Sequence, residues 1–157
     1  MLGLNEYDVA LVEKEYAYWH MLFQQEKKQL ELILEGYTVT IEHVGSTSIP
    51  QSLSKPIIDI AIGVKDWGSA NKIKEMLEIN GYQYRANHGS EKRLLFIKLE
   101  GQKRTHHIHV EEFGGEDWNN HIDFRECMRK NPLVKGKYIQ LKSKLSRKYV
   151  YNRAQYT

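Results

Sequence analysis

The sequence predicts an α+β fold: a small mixed β-sheet with helices mainly on one face and a helical C-terminal segment. Three observations carry this. Stretches near both ends place apolar residues three, four and seven apart, the period of an amphipathic helix. Runs between residues 37 and 110 instead alternate and are rich in β-branched residues, the period of strands. No internal repeat or low-complexity linker divides the chain. With 157 residues, 41% of them hydrophobic, residues 1–157 read as one domain with one ordinary core.

In chain order, Asp8 to Glu13 is partly alternating and reads as an edge strand or an extended lead-in. From Glu15 to Leu34 the residues Tyr16, Trp19, Phe23, Leu30 and Leu34 form a helical stripe. Glu26, Lys27 and Glu31 take other faces, and Gly36 ends the helix. Tyr37 to Val44 is a strand, with His43 and Gly45 on one side and Glu42 and Val44 on the other. Gly45-Ser46-Thr47 then reads as a tight turn leading into a short helical turn capped by Ser48, with Pro50 near its first position. In the next strand Ile58, Ile60, Ile62 and Val64 alternate with Asp59, Ala61 and Gly63, so one face is core and the other presents a carboxylate.

Asp66 and Ser69 are caps for a helix over about residues 70–79 that is closed by Gly81 and buries Ile73, Met76, Leu77 and Ile79. Tyr82 to His88, Arg93 to Leu99 and Thr105 to Val110 are three further strands, with Gly89, Ser90, Glu91 and Lys92 in the loop between the first two. In the last strand His106 shares a face with Ile108 and Val110, His107 and His109 point the other way, and Glu111 and Glu112 fall past its end. Phe113-Gly114-Gly115 breaks the pattern. Asp117 or Asn119 caps a helix that runs to about Arg129 and stops at Asn131-Pro132, and Cys127 within it reads as a buried structural thiol. The final helix presents Val134, Tyr138, Leu141, Leu145 and Tyr149 as its buried stripe, flanked by Lys135, Lys137, Lys142, Lys144 and Lys148.

Charge is uneven. Residues 127–157 carry 9 Lys and Arg and no acid, whereas residues 1–126 carry 14 Lys and Arg and all 20 acids. The basic helical part, residues 119–157, reads first as a solvated helix face and otherwise as a surface for an anionic partner. Nucleic acid fits poorly, because Tyr138 and Tyr149 belong to the buried stripe and few aromatics remain to stack on bases. No apolar run is long enough to span a membrane and the N-terminus lacks a secretory pattern, which makes a cytoplasmic protein the expectation.

The candidate site is the stretch from His43 to Val64. A turn such as Gly45-Ser46-Thr47 offers backbone N–H groups and hydroxyls to a phosphate. Fourteen residues after Gly45 comes Asp59, an acid in an apolar strand, and an unpaired buried carboxylate is costly. Its neighbours supply a second reading: His107, His109, Asp59 and His43 form an N3O set for Zn2+ or another transition metal. The alternative is a hydrogen-bonded histidine pair of purely structural use.

EHVGSTSIP followed by KPIIDI resembles the GrpB family, a branch of the polymerase-β-like nucleotidyltransferase superfamily. The resemblance extends to Trp19, Phe23 and Glu26, to HHIHV, to FRECMRKNP, and to Tyr138, Leu141 and Lys142, so it covers about residue 16 to the end. It implies a nucleotidyltransferase-like fold and a nucleotide or other phosphate-bearing small molecule as ligand. Gly45, Ser46 and Thr47 would take the phosphates, Lys55 and Arg93 would be charge partners, and Asp59 would hold Mg2+ for nucleotidyl transfer. One departure stands out: where the superfamily places a second acid two residues after the first, this chain has Ala61. The resemblance equally implies a non-catalytic nucleotide- or anion-binding module that assists a partner, linked to coenzyme A metabolism through fusions with dephospho-coenzyme A kinase. Family members commonly continue into another helix beyond the end of this chain, so a protein partner or a second copy is expected at the C-terminal helices.

Overall fold

A computed structural model describes residues 2–6, 8, 10–86 and 91–148. The elements follow in the order α1 (Tyr16–Ile33), β1 (Thr38–Val44), β2 (Ile58–Val64), α2 (Ala70–Ile79), β3 (Gln83–Tyr84), β4 (Arg93–Glu100), β5 (Lys103–Glu112), α3 (Glu116–Lys130) and α4 (Pro132–Lys148). The five strands form one mixed sheet in the order β1-β2-β5-β4-β3, with β2 and β5 parallel and the other neighbours antiparallel. This is the expected α+β class. Among the described residues no helix is long and apolar enough to cross a membrane.

The isoleucines of β2, with Ile108, Val110 and Phe96, form the apolar face, covered by Trp19, Phe23 and Leu30 of α1, by Leu34 just past its end, and by Ile73 and Leu77 of α2. Burying each of these large side chains contributes roughly 2 kcal/mol. Positions 19, 23, 26 and 30 lie on one helical stripe, so Glu26 is buried with them, 5% exposed, and does not take another face. The stripe tolerates it because Lys98 Nζ lies 2.7 Å from Oε2, the Tyr82 hydroxyl donates to Oε1, and His106 is 3.8 Å away.

The opposite face is not open. Trp118 and Ile122 of α3 pack on Val44 and Ala61 in a second, smaller apolar cluster. Small residues on β2 make room: a Cβ on Gly63 would come within 3.0 Å of Phe113 and 3.2 Å of Trp118. With α3 over this face and α4 beyond it, the strand acid looks into a pocket and not into solvent.

Several expectations change locally. Residues before α1 make only isolated bridges, Leu4 with Arg104 and Val12 with Ser54, so the lead-in is extended and not a strand. A single 3-10 turn spans Ser46–Ser48, and Ser48 closes it through a hydroxyl bond to the Gly45 carbonyl instead of capping a turn that follows. Asp66 caps a 3-10 turn ahead of α2, and Ile79 at the end of α2 is 84% exposed, one step past the apolar stripe. β3 is two residues long. Tyr82, Arg85 and Ala86 lie outside it, so the expected strand is shorter than its pattern, Glu91 and Lys92 form a turn before β4, and residues 87–90 lie outside the described residues, as do Tyr149 and the chain end. α3 begins at Glu116, three residues before Asn119, and Cys127 is exposed. β5 continues through Glu112, so Glu111 is a strand residue.

Candidate functional site

β2 and β5 run parallel with Asp59 beside His107 and Ala61 beside His109, so the three polar side chains share the α3 face. His107 Nδ1 lies 3.1 Å and His109 Nε2 3.4 Å from the same oxygen, Asp59 Oδ1. Burial alone would raise the Asp59 carboxyl. The two imidazole hydrogen bonds outweigh it and hold the group far below the usual carboxylate range. Gly45 closes against this carboxylate: its φ is +70°, and a Cβ there would sit 2.7 Å from Asp59 Oδ2. Only glycine meets both demands.

The turn is held from the other side by α3 and α4. Arg125 donates to the His43 carbonyl and to Glu42, Arg129 donates twice to the Ser48 carbonyl, and Lys135 donates to the Pro50 carbonyl. At its tip the Ser46 hydroxyl meets Lys142 Nζ at 2.6 Å and the Tyr138 hydroxyl at 3.1 Å. Lys142 also donates to the Leu53 carbonyl at 2.9 Å and is 7% exposed. Among the described residues it makes no ion pair. Burial lowers its pKa to about 8, against a raising influence from Asp59.

Turn, strand acid and α4 enclose a cavity of about 500 Å³. One pole is polar, formed by Ser46, Lys55, Lys142 and Asp59 with the two histidines. The other wall is Phe124, Tyr138, Leu141 and Leu145. A concave, mostly apolar pocket with a few converging polar groups is the usual form of a small-molecule site.

Of the expected site residues, Gly45, Ser46, Lys55, Asp59, His107 and His109 come together here. Three do not. His43 pairs with Ile60 and faces the apolar side of the sheet, stacked on Phe23 at 4.8 Å with Nε2 2.8 Å from Thr47 Oγ1. Burial drives its pKa down to about 3, and it cannot complete an N3O set from the far face. Thr47 is buried with it. Arg93 stands at the end of β4, 3.7 Å from Asp117, and does not line the cavity.

Lys142, Tyr138, Glu111 and His121 were not expected in the site. The apolar pattern sets Lys142 on a solvated flank and Tyr138 in a buried stripe, yet their i, i+4 spacing puts both on the helix side that meets the turn. Glu111 continues the alternation of His107 and His109 once β5 is read two residues longer. It is fully buried, with Oε1 2.7 Å from His121 Nδ1. Burial would lower the His121 pKa, but Glu111 raises it above its ordinary value.

The donor chemistry does not suit a two-magnesium site. Mg2+ takes hard oxygen ligands, and the Asp59 group offers one carboxylate and two imidazoles. The second-acid position is filled by packing, with Ala61 fully buried against Trp118.

The GrpB protein family model matches residues 8–157. The chain is 38% identical over 161 residues to glutamate-rich protein GrpB of Alkalihalophilus pseudofirmus, covering all of this chain and 92% of the relative. It is 37% identical over 128 residues to UPF0157 protein YqkA of Bacillus subtilis, 82% of this chain but 37% of that longer protein. Among solved structures, conserved protein GrpB from Enterococcus faecalis superposes with a TM-score of 0.85 at 31% identity, over 94% of this chain and 89% of that one. A cytoplasmic RNA terminal U-transferase superposes with a TM-score of 0.56 at 12% identity, over 88% of this chain and 43% of that one, a likeness of nucleotidyltransferase-like fold.

Proposed function

The chain belongs to the GrpB family, and from the geometry of its pocket we propose that it binds a phosphate-bearing small molecule of the nucleotide class between the Gly45-Ser46 turn and α4. Lys142 carries the reading. A buried ammonium bonded to a hydroxyl and a carbonyl and 5.2 Å from the Tyr138 ring makes no ion pair among the described residues, with Asp59 acting on it only from a distance, and it lines a cavity beside Ser46 and Lys55. A phosphate at that pole supplies the missing charge, and the wall of Phe124, Tyr138, Leu141 and Leu145 suits a planar base.

This reading is binding and not nucleotidyl transfer, because Asp59 stands without a second carboxylate and a side chain larger than Ala61 would press into Trp118. Transfer of a radiolabelled nucleotide by the wild type and not by Asp59→Asn would reverse that choice.

Thermal shift decides the binding. ATP, UTP, dephospho-coenzyme A and pyrophosphate are compared with the bare nucleosides. A ligand at a hundred times its Kd adds about 2.7 kcal/mol, a rise of several degrees. Lys142→Met should lose that rise. Absence of any shift at millimolar ligand, or nucleosides acting as well as nucleotides, would remove the phosphate pole from the account.

A further inference from the structure

We propose that His109, Glu111 and His121 bind one divalent ion of zinc type in a site beside the phosphate pocket. The ligand atoms of the three residues lie within 4.8 Å of one another. Two are alternate residues on one face of β5, and the third comes from the second turn of α3, which packs on that face. A tetrahedral zinc sets its ligand atoms roughly 3.3 Å apart, so small side-chain rotations would close the set.

Glu111 is the independent sign of a missing cation. Its side chain is fully buried, and neither carboxylate oxygen has a hydrogen-bond partner. His121 Nδ1 stands 2.7 Å from Oε1 and offsets its charge only when the imidazole is protonated, which leaves Oε2 without a partner. Arg93, opposite Glu111 across the β4–β5 pair, lies 3.7 Å from Asp117. A buried carboxylate in such surroundings calls for charge compensation.

His109 is already oriented for the role. Its Nε2 is engaged by Asp59 Oδ1, while Nδ1 is buried without a hydrogen-bond partner and its ring lies 4.6 Å from that of His121. Asp59 thereby serves as the outer carboxylate that holds a ligating imidazole in place. Two imidazole nitrogens and one carboxylate oxygen form a three-ligand set with the fourth position left for water, a donor mixture that favours zinc-like ions over Mg2+. His109 and His121 both line the pocket, which provides an entry path. The rival set, Asp59 with His107 and His109, asks His109 to ligate through the nitrogen that Asp59 engages and leaves Glu111 to His121 alone.

The inference does not depend on phosphate binding, and its test uses no nucleotide. Chelator-stripped full-length protein is titrated with Co2+ and with Zn2+, read by visible absorption and by metal content after gel filtration. Wild type should bind one equivalent with the intense visible band of tetrahedral Co2+. Glu111→Gln, near-isosteric, and His121→Ala, on a half-exposed helix position, should weaken binding at least a hundredfold with far-ultraviolet circular dichroism unchanged. Asp59→Asn should keep the stoichiometry with a roughly tenfold loss, and His107→Ala should match wild type. Equal metal in wild type and His121→Ala overturns the site. So does metal kept by His121→Ala but lost by His107→Ala, which is the rival placement. Wild type that holds no metal overturns it too.

Discussion

The two faces of the sheet bury charge in opposite ways. On the α1 side Glu26 is buried among the core leucines, and each of its oxygens has a partner in Tyr82, Lys98 or His106. On the α3 side Lys142 and Glu111 are as deeply buried; among the described residues Lys142 is bonded to no counter-charge, and the one Glu111 meets is His121, 2.7 Å away and charged only when protonated. A completed polar knot belongs to folding, since its members stabilise only while all are present. Buried groups that folding leaves unmatched are free to be matched by something from outside. The contrast therefore separates residues that hold the domain together from residues that, on the proposed reading, bind a ligand, and substitutions can break it.

The largest effect is expected from Glu26→Ala. Removing one member of the closed knot leaves Lys98 and Tyr82 without their shared acceptor and opens a cavity under α1, a loss of about 3 kcal/mol. Urea titration should show this as a lower midpoint with little change in slope. A loss below 1 kcal/mol would mean that the knot is no better satisfied than the opposite face.

Lys142→Met is the matching change on the α3 face, and its sign reverses. Lys142 has a folded pKa near 8, below its unfolded value, so the unfolded chain holds the extra proton between those two values. Its burial therefore destabilises the fold below pH 8, and that penalty is relieved as pH rises through 8 toward 10. Wild type should gain about 2 kcal/mol relative to Lys142→Met between pH 7.5 and 9.5, with Met equal or more stable at the lower pH. Saturating pyrophosphate should abolish the slope by compensating the ammonium. A flat difference without ligand would show that Lys142 already has its counter-charge.

The two faces also differ in how far sequence foretells them. The α1 side was legible because burial there follows periodicity. Trp19, Phe23, Leu30, Ile58, Ile60 and Ile62 all sit where spacing puts them, and the shared face of Asp59, His107 and His109 followed from the same alternation. Glu26 lies on that stripe too, but polarity hid it. On the α3 side the polar residues inside the pocket are set by long-range contacts that no local pattern encodes. Lys142 reaches a serine 96 residues away. Glu111 was missed through two residues of strand length, and His121 because its partner lies on another element.

The smallest effect tests the last helix, where pattern and structure diverge most. The spacing of Val134, Tyr138, Leu141 and Leu145 predicts a buried stripe, yet Val134 is 43% and Leu141 54% exposed, and the buried residue of α4 is Lys142. The helix is thus placed by its polar contacts, Lys135 to Pro50, Tyr138 to Ser46 and Lys142 to Ser46 and Leu53, more than by an apolar seam. Val134→Ser and Leu141→Ser should each change unfolding free energy by no more than about 0.5 kcal/mol, as surface substitutions do. A buried stripe would lose 2 kcal/mol or more at each. Leu141 also forms part of the pocket wall, so Leu141→Ser alone should weaken nucleotide-induced stabilisation while Val134→Ser leaves it intact. If both variants unfold readily, α4 is held by apolar packing, and the α3 face is a core like the other.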